Sequence, residues 1–332
     1  MSIRPRIDLY KYYKKLLTRT ENRKTFFEKV KILGEGYQGK VYHYKSKSSS
    51  SELAIKKIYL DWKEGKYVED IYNINAFKYG VFIELASNQL INQLILQKII
   101  PNFILNYDYE FEERWDICSD IYPYKSYFYN EFIDDSESYT EWINREHSIQ
   151  LWYNAMFQIV VSIYALQKYF NMTHLDLHSD NILVKKIKKG GYWTYIINDK
   201  AYKVPNLGYQ FYIFDFGHAW IPKIFKSWFI SQKYKKKQIH KGFDLQRLYK
   251  STMLLKHAPS KFRKDINYII RTLHKNKNFG SIIETIWADK YVYNNSGLPK
   301  KMSSKKIDIY DMDKKLKTNK LPEILQKIVI YQ

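Results

Sequence analysis

Two short segments constrain this chain more than any other part of it. Residues 174–184 read H-L-D-L-H-S-D-N-I-L-V, and residues 213–217 read I-F-D-F-G. The first sets Asp176 and Asn181 in one short loop, and the second supplies Asp215 downstream. Each residue type brings its own chemistry. A carboxylate such as Asp176 can accept the proton of a hydroxyl. The Asn181 amide offers a metal ion a neutral oxygen, and Asp215 offers a charged one. The fold must therefore bring a loop and a distant turn together.

Further motifs lie upstream. Residues 34–41 read G-E-G-Y-Q-G-K-V, so Gly34, Gly36, Gly39 and Val41 fill a G-x-G-x-x-G-x-V pattern. Leu53, Ala54, Ile55 and Lys56 follow. Alone, the glycines could be turn residues, and Asp176 and Asn181 a cap and a turn. Four motifs in a fixed order over more than half the chain outweigh those readings.

Local patterns place the motifs. Residues 27–58 read as strands flanking a glycine-rich turn, then a serine-rich turn at 46–51, then the strand that ends at Lys56. Residues 68–99 have helical periodicity, with Val81, Leu85, Ile91, Leu94 and Ile95 among the apolar positions. Pro101 follows as a stop. Residues 127–133 read as a strand, and Asp134-Asp135-Ser136 as a turn. Residues 151–170 form a long, mostly apolar helix, a rigid floor for the loop that carries Asp176. Residues 185–212 read as an enlarged hairpin with a basic first turn. From Asp244 onward the chain reads as largely helical, with a lysine-rich, mobile stretch at 294–320.

In this order the motifs resemble the eukaryotic protein kinase superfamily. They are most similar to divergent members such as haspin and the Ser/Thr kinases of large DNA viruses. The resemblance covers about residues 27–250. It implies an α+β, bilobal protein-kinase-like fold with a small β-rich N-lobe and a larger α-helical C-lobe. The expected divisions are a basic, partly helical N-terminal extension at 1–24, an N-lobe at 25–132 and a C-lobe at 133–332 with a lysine-rich C-terminal segment. It implies ATP and Mg2+ as cofactors and a protein substrate. By resemblance, Gly34, Gly36, Gly39 and Val41 cover the nucleotide. Lys56 contacts the phosphates, with Glu84 or Glu69 as its partner. The backbone of Glu131 and Ile133 meets the adenine edge, and Asp135 or Glu137 the ribose. Asp176 is the catalytic carboxylate, and His178 contacts the transferring phosphate or packs the loop. Asn181 and Asp215 hold the metal. Asp244, in G-F-D-L, buttresses the loop. His174 reads as structural, and Trp152 and Tyr164 as core.

The departures matter. Leu175 and His178 stand where the family's loop carries Arg and Lys. No A-P-E follows Asp215, and the segment from there to Phe243 is short. This implies activity without activation-loop phosphorylation. It also leaves open a small-molecule phosphotransferase of the aminoglycoside or choline kinase type. A pseudokinase scaffold is disfavoured because Lys56, Asp176, Asn181 and Asp215 are all present.

The net charge of +21 favours an acidic partner, a protein substrate, a nucleic acid or a membrane surface, though a solvated lysine-rich surface would look the same. Lysines cluster at 185–189, 233–237 and 300–320. The single cysteine, Cys118, excludes a disulfide framework within the chain. The N-terminal stretch lacks the apolar run of a secretory signal. The longest apolar stretch, around 156–166, reads as too short to span a bilayer. The expectation is a soluble intracellular protein, cytoplasmic or nuclear, of a host cell or a virion. The oligomeric state stays open.

Overall fold

A computed structural model describes residues 2–19, 23–36, 39–47, 50–114, 121, 123–222, 224–225, 239–250, 257–275, 278–291 and 305–329. Cys118, the lysines at 233–237 and residues 294–304 lie outside the described residues. The fold is mixed α+β.

Strands β1 (Phe27–Gly36), β2 (Gly39–Ser46), β3 (Glu52–Leu60), β4 (Asn106–Glu113) and β5 (Tyr124–Glu131) form one antiparallel sheet in the order β1-β2-β3-β5-β4. Side chains alternate across such a sheet. Cross-strand register pairs Val41 with Lys56 and Lys56 with Phe128, so these three share one face. Lys57, Tyr42 and Tyr127 fall on the opposite face. A one-residue slip would turn Lys56 away from the site.

Helix α1 (Arg4–Arg19) precedes the sheet. The helix expected in this basic segment is docked on the sheet. Ile3, Tyr13 and Leu17 are buried, and Tyr13 stacks on Tyr107 of β4 with ring centroids 4.7 Å apart. An apolar stripe among its lysines docks it, which net charge alone would not reveal. A short turn of helix, α2 (Trp62–Gly65), follows β3. Helix α3 (Gly80–Leu96) starts later than the apolar periodicity from residue 68 suggests. Asn73 and Asn75 make local turn bonds there, Asn75 N donating to Asn73 Oδ1 at 2.9 Å, and such bonds compete with a helix.

After β5 the chain forms the short strand β6 (Ser136–Ser138), α4 (Tyr139–Ile143) and the long α5 (Ile149–Phe170). Ser148 caps α5, accepting a bond from Leu151 N. Helix α5 is long and apolar enough to cross a membrane, unlike the shorter stretch visible in the sequence, yet 89% of its apolar window is buried inside the protein. It is a core helix, with Trp152 buried and Tyr164 nearly so.

The hairpin region is nested. Strand β7 (Ile182–Lys186) pairs with β10 (Tyr209–Ile213), and between them β8 (Tyr192–Ile197) pairs with β9 (Lys200–Pro205). Helices α6 (Phe243–Lys250), α7 (Ser260–His274) and α8 (Phe279–Tyr291) follow. Part of the stretch expected to be mobile is ordered. Strand β11 (Lys306–Asp311) runs parallel to β8, with Asp308, Tyr310 and Met312 buried. That period-two burial is hidden in the sequence by the surrounding lysines. Helix α9 (Glu323–Val329) is the last described element.

Candidate active site

The site is assembled from the loop outward. Helix α5 ends at Asn171, whose left-handed backbone (φ 50°) turns the chain into residues 172–181. Thr173 exchanges two backbone bonds with Trp220, at 2.9 and 2.8 Å. The buried Asp244 of α6 accepts the amides of His174 and Leu175, at 2.9 and 3.0 Å. Leu175 is held at φ 63°, an uncommon conformation for a bulky residue that the two amide bonds sustain. Burial raises the Asp244 carboxyl above its usual range, against the pull of His174 and the amide bonds.

The second segment is tied to the first through its backbone. Phe214 N donates to the Asn181 carbonyl at 3.1 Å, and the Phe214 carbonyl lies 2.9 Å from His174 Nε2. Asp215 follows in a left-handed conformation (φ 65°). Asn181 Nδ2 donates to the Asp176 carbonyl at 2.9 Å, so its amide nitrogen is committed and its side-chain oxygen is the group available to a cation.

Lys56 joins sheet and loop. Its Nζ lies 2.7 Å from Glu84 Oε2 on α3 and 2.9 Å from Asp215 Oδ1. Of the two carboxylates that the sequence leaves open, Glu84 is the partner, and Glu69 is exposed. Burial works to lower the Lys56 ammonium, but Asp215 and Glu84 outweigh it and hold the group above lysine's ordinary value. For Asp215, burial alone would raise the carboxyl, and Lys56 reverses the sign and keeps it below the usual range. Burial pushes the Glu84 carboxyl up to about 7 in spite of Lys56. Lys56 thus bridges the two carboxylates, and its charge offsets the burial of both.

The Asp176 carboxylate faces His218 electrostatically and has two charged or chargeable groups within 4 Å. Oδ1 is paired with the Arg247 guanidinium on α6, and Oδ2 is 3.8 Å from His178 Nε2. His178 caps the turn at 179–181, its Nδ1 accepting from Asp180 N at 3.3 Å. A neutral His178 ring then carries its proton on Nε2.

The glycines divide by cause. A Cβ on Gly39 (φ 152°) would lie 2.0 Å from the Lys57 carbonyl, so the β2–β3 approach itself requires glycine. A Cβ on Gly34 or Gly36 would meet open space. Nothing in the described chain demands glycine at those two positions, whereas close backbone approach by a phosphate would. Val41 lies on the Lys56 face.

Glu131 and Ile133 stand at the far end of β5. The Glu131 amide donates to the Leu105 carbonyl at 2.8 Å, and the Ile133 carbonyl accepts from Ser136 Oγ at 2.7 Å. The Glu131 side chain is buried against Arg6 of α1, with both oxygens 2.7 Å from the guanidinium. Asp135 adopts φ 47°, and Glu137 pairs with Arg145.

Sequence reasoning missed two residues here. Arg247 stands one helical turn after Asp244, on a helix already linked to the loop, and that spacing is the signal that could have found it. Arg6 left no comparable signal.

Asn181 and Asp215 present one neutral and one charged oxygen ligand, a donor set that suits magnesium, which is ordinarily held by one or two carboxylates together with phosphates. Among the described residues no group of three His, Cys, Asp or Glu could hold a metal.

No family model matches the chain. Over 222 residues, 64% of this chain and 40% of the relative, it is 26% identical to the probable serine/threonine-protein kinase 380R of invertebrate iridescent virus 6. Over 66 residues, 19% of this chain and 8% of the relative, it is 36% identical to a protein of frog virus 3 (isolate Goorha) provisionally named serine/threonine-protein kinase 019R. Over 56 residues it is 38% identical to the uncharacterized protein 011L of invertebrate iridescent virus 3, covering 17% of this chain and 8% of that one. The matches span less than half the length of these relatives. They support a distant, protein-kinase-like relationship.

Proposed function

We propose that this chain is an ATP- and magnesium-dependent protein kinase that phosphorylates Ser or Thr hydroxyls, built as two lobes around the Lys56–Asp176 site. One observation carries the reading. Lys56 is clasped by Glu84 and Asp215 while Asp176 and Asn181 stand on the adjoining loop. Three distant parts of the chain thus converge on one cluster of complementary charge. The viral relatives' names favour the same chemistry.

In this reading Lys56 and the Gly34–Gly36 backbone bind the nucleotide phosphates, and Asn181 and Asp215 hold magnesium. Glu131 and Ile133 stand toward the adenine edge. Magnesium-bound ATP supplies the transferable phosphoryl group. Asp176 orients the acceptor hydroxyl and takes its proton. Catalysis is then mostly positioning and charge stabilisation.

The test is transfer of labelled phosphate from ATP, with and without magnesium, to acidic proteins, basic proteins, aminoglycosides and choline. Protein acceptors should be labelled on Ser or Thr. Labelling of the small molecules alone would favour the other phosphotransferase class, to which His178 and the missing A-P-E also point. Asp215→Asn is expected to weaken magnesium-dependent ATP binding by about tenfold or more, because the charged metal ligand is lost. Titration calorimetry with and without magnesium measures this. Bacterially made, phosphatase-treated protein should remain active, since Leu175 provides no anchor for a phosphorylated loop. A requirement for prior phosphorylation would overturn that point.

A further inference from the structure

We propose that Arg247 is the positioning residue for Asp176, supplying from helix α6 the fixed positive charge that the loop itself lacks. The inference rests on the phosphotransfer reading. Helix α6 grips the loop twice. Asp244 holds the backbone of His174 and Leu175, and one turn later Arg247 holds the Asp176 side chain by Oδ1. The other oxygen, Oδ2, is 3.8 Å from His178 Nε2, beyond hydrogen-bond length, and His218 also faces the carboxylate, so Arg247 is the one group among the described residues that bonds it by a fixed charge.

The division of labour follows from the side chains. His178 spends Nδ1 on capping its own turn and carries charge only when protonated. A guanidinium is charged at every working pH and offers donors in a rigid fork. The Arg247 and Asp176 side chains are 26% and 22% exposed, so the pair lies where solvent and an acceptor can reach it. A cation fixed beside the hydroxyl would both hold the Asp176 rotamer and offset charge that builds on the transferring group.

The test compares Arg247→Met, Arg247→Lys and Arg247→Met combined with His178→Lys in the full chain. Arg247→Met should lower kcat about 100-fold with KM for ATP unchanged, the size of effect seen when a preorganised charge donor is removed. Arg247→Lys should recover most of the loss, and His178→Lys in the Arg247→Met background should recover part. A second readout needs no nucleotide: the Tm losses of Arg247→Met and Asp176→Asn should be less than additive in the double variant, because the two groups touch. If Arg247→Met fails to fold, Arg247→Gln takes its place in each comparison. Parental kcat in Arg247→Met, equal loss in Arg247→Met and Arg247→Lys, or additive Tm losses would each overturn the assignment. A parent that transfers phosphate to no acceptor would overturn the phosphotransfer reading and this inference with it. An active parent indifferent to Arg247→Met overturns this inference alone.

Discussion

Asp176→Asn is expected to slow phosphotransfer by about 1000-fold while ATP affinity stays near that of the parent, since a positioned proton acceptor contributes on that order. The substitution is nearly isosteric, and the groups proposed to hold the nucleotide phosphates and the metal are elsewhere, on Lys56, Asn181 and Asp215. Asn181 bonds to the Asp176 backbone carbonyl rather than to its side chain, so the loop should keep its shape. Single-turnover kinetics alongside equilibrium ATP binding measure the two quantities separately. Full turnover in Asp176→Asn would remove Asp176 from its proposed role. A parallel loss of ATP affinity would mean that the carboxylate binds rather than reacts.

Arg6→Ala should have the largest effect on stability. Arg6 is 5% exposed and Glu131 is 6% exposed, so their ion pair is sealed from water. The guanidinium also donates to the carbonyls of Pro101 and Phe103. Removing it strands a buried carboxylate and two carbonyls, a change that costs about 3–5 kcal/mol. For a chain of this size that corresponds to a fall in Tm on the order of 10 °C. Thermal unfolding of Arg6→Ala should therefore differ sharply from that of Arg4→Ala, whose side chain is 85% exposed. Glu131→Leu combined with Arg6→Met should restore part of the loss, because no unpaired charge is left buried. If Arg6→Ala melts with the parent, α1 does not anchor the end of β5. Activity should fall with stability here, since Glu131 leads directly into the turn at Asp134.

Much of the site was legible because its signals are local. A glycine-rich turn between strands, a strand ending at Lys56, a long apolar helix before the Asp176 loop and a hairpin after it each have a short-range period or turn signature. The chain forms the strands, the apolar helix and the hairpin, but the strand that carries Lys56 runs on to Leu60 instead of ending there. Misreadings arose where composition spoke louder than period. The lysines of residues 300–320 concealed the alternation that makes β11 a strand, whereas the helix within residues 1–24 was expected and only its docking was not.

The amino-acid order by itself determined which chemical groups the chain can offer and on which kind of element each one sits, because backbone periodicity and turn chemistry act over a few residues. Only the tertiary structure decided which charges meet. Glu84 rather than Glu69 reaches Lys56 across 28 residues, Arg247 reaches Asp176 across 71, and Arg6 reaches Glu131 across 125. Pairings over such separations leave no periodic trace. They are selected when burial makes an unpaired charge costly, and burial is a property of the packed molecule rather than of any one segment.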